Sequence, residues 1–129
     1  MSKVALVVDD SMLVRYTVCR FLEERGFTVE TAANGNEALQ VVAQVLPDLI
    51  VTDMAMPLMS GSELITALKS KPETSDVPII VITGRASGFS EADRRADFAV
   101  SKDIDVEKQL EKALSTISGK LVRAHGAGK

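Results

Sequence analysis

Four short segments of the chain are largely apolar and rich in valine and isoleucine, namely residues 4–8, 48–52, 77–83 and 98–101. Each is too short for a buried helix, and apolar runs of this kind predict strands that are buried on both faces of a sheet. A fifth segment, residues 27–32, alternates apolar and polar side chains. That alternation is typical of a half-exposed strand at the edge of a sheet.

Helical periodicity fills the stretches between these segments. In the first such stretch, Leu13, Tyr16 and Phe21 are among the apolar positions at helical spacing. Asn34 and Ser60 are predicted N-caps, because each is followed three residues later by a glutamate. The predicted helices cover residues 12–25, 36–45, 61–70, 90–95 (short and poorly patterned) and 106–117.

The repeated alternation of strand and helix predicts an α/β fold, with a parallel sheet covered by helices on both faces. Because the second strand is the most polar, we place it at an edge, which favours the strand order 2-1-3-4-5. A chain of 129 residues that is 46% apolar has the size and composition of one domain. We place this domain at residues 1–120 and expect residues 121–129 to form a flexible tail.

The charge balance, the cysteine content and the length of the apolar runs each argue against some classes of protein. The 18 Asp and Glu residues exceed the 15 Lys and Arg residues, so direct DNA binding is not expected, since nucleic-acid binders usually carry a basic excess. Cys19 is the only cysteine, which excludes an intrachain disulfide. The apolar runs are far shorter than the ~20 residues of a membrane span. We therefore expect a cytoplasmic protein that does not bind membranes.

Polar side chains follow four of the five predicted strands. Asp9 and Asp10 follow the first strand, Asp53 follows the third, Thr83 ends the fourth, and Lys102 follows the fifth. Because ligands of open parallel sheets bind beyond the carboxyl ends of the strands, these five residues are expected to face one pocket. Taken singly, each has an ordinary explanation as a helix cap, a turn former or a solvated surface residue. Their convergence favours a functional site.

Several carboxylates in one pocket repel each other, by about 3 kcal/mol for a pair ~5 Å apart at an effective dielectric constant of about 20. Such a site must hold a cation, retain a proton or strain the fold. Oxygen ligands without histidine or cysteine favour Mg²⁺ or Mn²⁺ over zinc, and Mg²⁺ leaves coordination positions for phosphate oxygens. Thr83 can donate a hydrogen bond to such an oxygen, and Lys102 can supply a positive charge.

Residues 53–61 have the form D-x-x-M-P-x-x-x-G. Together with the acid pair Asp9–Asp10, Thr83 and Lys102, this motif resembles the receiver domain of two-component response regulators over residues 3 to about 117. The resemblance implies a flavodoxin-like fold in which Asp53 accepts a phosphoryl group from a sensor histidine kinase or a histidine phosphotransfer protein. The domain would then signal by contact with an unidentified downstream protein, and it would not itself be an enzyme.

The resemblance also implies the roles of the residues around Asp53. The metal ligands, for Mg²⁺ or Mn²⁺, would be the carboxylates of Asp10 and Asp53, the carboxylate of Asp9 either directly or through a water, and the backbone carbonyl of Ala55. Lys102, Thr83 and the backbone N–H groups of Met54 and Ala55 would contact the phosphoryl group. The other residues expected near the site are Met54, Met56, Pro57, Gly61 and Arg85.

Two positions depart from the pattern of this family. Lys102 is followed by Asp103 where the family usually has proline, and Ala99 occupies the position of an aromatic switch residue. Phe98 is adjacent, but its strand parity predicts that it points to the other face of the sheet. These departures leave open a scaffold that works without phosphorylation. A Mg²⁺-dependent phosphohydrolase is a weaker alternative, because its acid–base chemistry needs a second Asp two residues after the nucleophile, where Asp53 is followed by Ala55.

Overall fold

The computed structural model describes residues 3–56, 58–84, 95–102 and 105–126. Its five strands are β1 (Lys3–Val8), β2 (Phe27–Ala32), β3 (Leu49–Asp53), β4 (Ile79–Thr83) and β5 (Phe98–Ser101). The helices in the described ranges are α1 (Met12–Glu24), α2 (Gly35–Gln44), α3 (Gly61–Lys69) and α4 (Val106–Gly126). The predicted α/β class and the positions of all five strands are confirmed.

All strand pairs are parallel, and the order is β2-β1-β3-β4-β5, with β2 at an edge as its polarity predicted. The register pairs Val8 with Thr52, Asp53 with Ile82, and Thr83 with Ser101. The carboxyl ends of the four neighbouring strands β1, β3, β4 and β5 therefore lie along one edge of the sheet. The strand order reverses at β1 and β3, which places a crevice for ligands at this edge.

Helices cover both faces of the sheet, and each face has its own apolar cluster. One cluster joins α1 and α4 to the sheet through Val18, Phe21, Leu22, Leu110, Ala113 and Ile117. The other joins α2 and α3 to the opposite face through Ala38, Val42, Leu64, Ile65 and Leu68. Every residue of β3 and β4 is buried, which explains why both strands are apolar until the polar residues at their carboxyl ends, since neither face of these central strands meets water.

The predicted N-caps of α2 and α3 are confirmed. Asn34 Oδ1 accepts a hydrogen bond from Glu37 N at 2.9 Å. Ser60 Oγ accepts from Glu63 N at 3.2 Å, while Glu63 Oε1 accepts from Ser60 N at 2.9 Å, which forms a complete capping box. These caps fix the starts of the two helices that follow the carboxyl ends of β2 and β3.

The predicted apolar face of α1 is wrong at its start. Leu13 and Tyr16 are 73% and 58% exposed. The residues that pack on the sheet are instead Val14, Val18, Phe21 and Leu22, which follow one another at helical spacing. Leu13 and Tyr16 lie on the opposite side of this stripe, so the first turns of α1 present apolar side chains to solvent.

The last helix is longer than the sequence pattern indicated. It was expected to end near residue 117, but α4 continues to Gly126, so residues 121–126 of the predicted tail are helical. Residues 118–126 contain no proline and include several strong helix formers, which allows a helix already fixed by packing to propagate. None of the described helices is long and apolar enough to cross a membrane. All but Arg95 of the short predicted helix at 90–95 lies outside the described residues.

Candidate functional site

Three carboxylates gather where the sequence placed them, at the carboxyl edge of the sheet. Asp9 and Asp10 follow β1, and Asp53 is the last residue of β3. One carboxylate oxygen of each residue lies within 4.8 Å of the others. Asp9 and Asp53 are buried, whereas Asp10 is exposed. The predicted acid cluster is confirmed, and it contains two buried acids and one that faces water.

The loop between β1 and α1 shows that Asp10 is not simply a helix cap. Ser11 is the N-cap of α1, and its Oγ accepts a hydrogen bond from Val14 N at 3.4 Å. Ser11 N in turn donates to Asp9 Oδ1 at 2.8 Å. Arg15 donates to the carbonyl oxygen of Asp9 at 2.6 Å, a contact that nothing in the sequence pattern had indicated. The Asp10 carboxylate is left free of a capping role.

The unfavourable electrostatic energy of the cluster falls mainly on Asp9. Its Oδ2 atom is buried and has no hydrogen-bond partner among the described residues, and the nearest cation is Lys102 Nζ at 3.6 Å. Burial is the main cause that raises the pKa of Asp9 from 3.8 to about 6, and the negative charges of Asp53 and Asp10 raise it further. The hydrogen bond from Ser11 N and the positive charge of Lys102 lower this pKa, but by less. A buried acceptor without a donor marks a place where a cation would be stabilised.

Lys102 lies over the carboxylate of Asp53. Its Nζ donates to Asp53 Oδ2 at 3.1 Å. Burial on its own would lower the pKa of Lys102, but the hydrogen bond and charge of Asp53, with the charge of Asp9, outweigh it and raise that pKa. The Asp53 side chain is 3% exposed and that of Lys102 27% exposed, so the ion pair joins a buried carboxylate to a partly exposed ammonium.

The loop after β3 supports the second oxygen of Asp53. Ala55 N donates to Asp53 Oδ1 at 3.3 Å. Met54 N donates to the carbonyl oxygen of Ile82 at 3.1 Å. That these two N–H groups contact a phosphoryl group stays a prediction. Gly61 is required by space, since a Cβ there would lie 2.5 Å from the carbonyl oxygen of Asp53.

Two further loop residues of the prediction, Met54 and Met56, pack against the apolar cluster formed by α2 and α3. Met59 of the same loop packs there as well. Pro57, Arg85 and Asp103 were also singled out from the sequence, and all three lie outside the described residues.

Thr83 ends β4 beside Asp53, but its hydroxyl is engaged elsewhere. It is buried, and its Oγ1 donates to the carbonyl oxygen of Val100 on β5 at 3.5 Å. Ala99 packs with the α2 and α3 cluster and Phe98 with the opposite one, as their strand parity predicted. Four of the five residues predicted to face one pocket therefore lie close together, namely Asp9, Asp10, Asp53 and Lys102. Thr83 lies beside them, but its hydroxyl is directed to β5.

The residues of the cluster fit a divalent cation with hard oxygen ligands. Three carboxylates are close enough to share one ion, and Asp9 offers a buried oxygen without a donor. None of the three ligand candidates is a histidine or a cysteine, which disfavours zinc and favours Mg²⁺ or Mn²⁺.

These observations define an α/β domain with an acidic pocket and a lysine at the switch point of a 2-1-3-4-5 sheet. The family model of the response regulator receiver domain matches residues 5–115. The chain therefore belongs to the receiver domain family of response regulators.

Curated relatives are longer proteins that carry the same kind of domain. The chain is 44% identical over 87 residues to the response regulator MprA of Mycobacterium ulcerans (strain Agy99), covering 67% of this chain and 37% of that protein. It is 38% identical over 109 residues to the phosphate regulon transcriptional regulatory protein PhoB of Rhizobium meliloti (strain 1021), covering 82% of this chain and 45% of that protein. The match thus spans less than half the length of either relative.

Solved structures show the same fold. The chemotaxis response regulator CheY4 of Vibrio cholerae superimposes with a TM-score of 0.79 at 27% identity, covering 90% of this chain and 99% of that one. The receiver domain of a signal transduction histidine kinase from Syntrophus aciditrophicus gives a TM-score of 0.76 at 28% identity, covering 92% of both chains. The flavodoxin-like receiver fold implied by the sequence is confirmed.

Proposed function

We propose that this domain accepts a phosphoryl group on Asp53 from a phosphohistidine, with Mg²⁺ bound by the acid cluster, and that it signals by contact with another protein. The observation that carries this proposal is the pairing of Asp53 with Lys102 inside a cluster of carboxylates. Asp53 Oδ2 lies 3.1 Å from Lys102 Nζ, and oxygens of Asp9 and Asp10 lie within 4.8 Å of an Asp53 oxygen. With Lys102 on one side and a cation bound by the acids on the other, positive charge would lie around the nucleophilic oxygen of Asp53.

In the proposed transfer, an oxygen of the Asp53 carboxylate forms a bond to phosphorus while the bond between phosphorus and the imidazole nitrogen of the donor breaks. The imidazole nitrogen keeps the electron pair of that bond. Mg²⁺ bound by Asp9, Asp10, Asp53 and the carbonyl of Ala55 would neutralise charge on the phosphoryl oxygens. Because the transfer needs little covalent chemistry from the protein, positioning and charge stabilisation supply most of the catalysis.

Lys102 has two roles in this account. Before transfer its Nζ is hydrogen-bonded to Asp53 Oδ2, and we expect this contact to break when an oxygen of Asp53 bonds to phosphorus. After transfer its ammonium can pair with a phosphoryl oxygen, a charge-assisted contact that replaces the one to Asp53. The N–H of Ala55 would remain directed at this end of β3.

We propose that the phosphodonor is a protein, either a sensor histidine kinase or a histidine phosphotransfer protein. The start of α1 directly follows the acid pair and exposes Met12, Leu13 and Tyr16 to solvent. Exposed apolar groups next to a reactive site are typical of a surface that binds a protein partner. The downstream target is a second protein, and we infer that the domain is a stoichiometric acceptor and not an enzyme that turns over phosphomonoesters.

The proposal predicts phosphorylation at one residue. Incubation with phosphoramidate and Mg²⁺ should add one phosphoryl group to the wild-type domain, as measured by intact mass, because Asp53 is the nucleophile among the clustered acids. Asp53→Asn should add none, and chelation of the metal should abolish the addition to the wild type. Asp48→Asn, which alters an aspartate just before β3, is a control that should label normally. Equal labelling of the wild type and Asp53→Asn would overturn the assignment.

A further inference from the structure

The backbone of Ser101, which precedes Lys102, is held by a side chain from another element. The backbone polar groups of its neighbours face β4: Val100 O accepts from Thr83 Oγ1, and Lys102 N donates to Thr83 O at 2.9 Å. Because these groups alternate in direction along a strand, Ser101 directs its own N–H and C=O away from β4. Among the strands of the described residues, β5 is the last in the sheet, so none of them pairs with β5 on that side.

Gln109 satisfies both groups at this open edge. Its Oε1 accepts from Ser101 N at 3.0 Å, and its Nε2 donates to Ser101 O at 2.8 Å. The side-chain amide thus makes the two hydrogen bonds that a neighbouring strand would make. A primary amide is the side chain that offers an acceptor and a donor in this arrangement.

Gln109 is itself held firmly within the first turns of α4. Its backbone N donates to the carbonyl oxygen of Asp105 at 3.2 Å, and the next residue, Leu110, is fully buried against the sheet. Asp105 also accepts from Lys108 N through its side chain at 3.1 Å, which caps the start of the helix. The position of the Gln109 amide is therefore fixed by the packing of α4.

We propose that Gln109 is a positioning residue for phosphoryl transfer, a proposal that rests on the function proposed above. By fixing both backbone groups of Ser101, it sets the direction in which the chain leaves β5. That direction determines where the Lys102 arm begins and so keeps Nζ within reach of Asp53 and Asp9, at 3.1 and 3.6 Å. Among the described residues, no hydrogen bond joins Gln109 to either acid, so we expect it to act through the lysine.

The test is a comparison of phosphorylation rates with phosphoramidate at saturating Mg²⁺. Gln109→Leu, which keeps the volume but removes the side-chain hydrogen bonds to Ser101 and to the carbonyl oxygen of Asp105, should slow phosphorylation about tenfold, since small displacements of a charge-stabilising group are costly. Gln109→Glu keeps the acceptor for Ser101 N but loses the donor, so its rate should be intermediate. Gln44→Leu makes the same change at an exposed position on α2 and should stay within about twofold of wild type.

Repeating the comparison in a Lys102→Met variant distinguishes a positioning role of Gln109 from a merely structural role. In Lys102→Met, Gln109→Leu should slow phosphorylation by less than about twofold further, while its effect on the free energy of unfolding should be the same as in the wild type. A further tenfold loss in that background, or a wild-type rate for folded Gln109→Leu, would overturn the inference. If Gln109→Leu does not fold, Gln109→Glu in the two backgrounds decides the question. Failure of the wild type to label Asp53 would instead overturn the proposed function.

Discussion

In metal-free buffer near neutral pH, Asp9→Asn is expected to be more stable than the wild-type domain by about 2–3 kcal/mol. The Asp9 side chain is fully buried, and its Oδ2 lacks a hydrogen-bond donor among the described residues. Burial is the largest cause that raises its pKa from 3.8 to about 6, and each pKa unit corresponds to about 1.4 kcal/mol. Asparagine keeps an acceptor for Ser11 N and removes the buried charge.

The pH dependence of the stability difference between the wild type and Asp9→Asn follows from the direction in which the pKa of Asp9 is shifted. Because the pKa of Asp9 is higher in the folded state, the folded domain binds more protons than the unfolded chain between about pH 4 and about pH 6. Wild-type stability should therefore fall as pH rises through this window and level off above it. Asp9→Asn should lack this fall, as measured by urea unfolding at a series of pH values.

Two comparisons control the experiment. Asp10→Asn alters the exposed acid of the same pair and should change stability much less, because water already solvates its charge. Saturating Mg²⁺ should stabilise the wild type more than Asp9→Asn and so reduce the difference between them. A destabilised Asp9→Asn in metal-free buffer would contradict the electrostatic description of the pocket.

In contrast to Asp9→Asn, Lys102→Met is expected to destabilise the domain. It should also slow phosphorylation strongly. Its Nζ is the cation nearest to both buried acids, at 3.1 Å from Asp53 and 3.6 Å from Asp9. Removing one partner of a buried ion pair costs about 3–5 kcal/mol, but the lysine side chain is 27% exposed, so we expect about 2 kcal/mol in metal-free buffer. Saturating Mg²⁺ should restore much of this loss.

The rate of phosphorylation should not recover with the metal. Loss of one charge-stabilising donor costs about a hundredfold in comparable sites. We therefore expect Lys102→Met to be phosphorylated by phosphoramidate about a hundredfold more slowly than wild type at saturating Mg²⁺. Lys108→Met, an exposed substitution on α4, should match the wild type in both stability and rate. A Lys102→Met variant that keeps the wild-type rate would show that the ammonium takes no part in transfer.

The sequence predicts the sheet and the site cluster well because both depend on short-range patterns. Uninterrupted apolar runs identify strands buried on both faces, and the residue after each run must lie at the carboxyl edge. That reasoning placed Asp9, Asp53 and Lys102 together without knowledge of the fold. The same reasoning could not show which of the two adjacent acids is buried, because Asp9 and Asp10 differ only in how the chain turns into α1.

The features that the sequence missed depend on long-range geometry. Leu13 and Tyr16 have the spacing of a buried face, and only the packing of the other side of α1 on the sheet shows that they are exposed. Gln109 reads as an ordinary polar residue of an amphipathic helix, and its contact with Ser101 appears only when α4 is docked beside the edge strand. Thr83 was placed at the correct edge, but the direction of its hydroxyl follows from the position of β5.

The chemical identity of the phosphorylated residue decides whether Asp53 is the phosphoacceptor. Reduction with borohydride converts an aspartyl phosphate to homoserine, and peptide mass spectrometry then locates the converted residue. After treatment with phosphoramidate and Mg²⁺, the account predicts homoserine at position 53 of the wild type and no conversion in Asp53→Asn. Conversion at position 9 or 10, or none in the wild type, would contradict it.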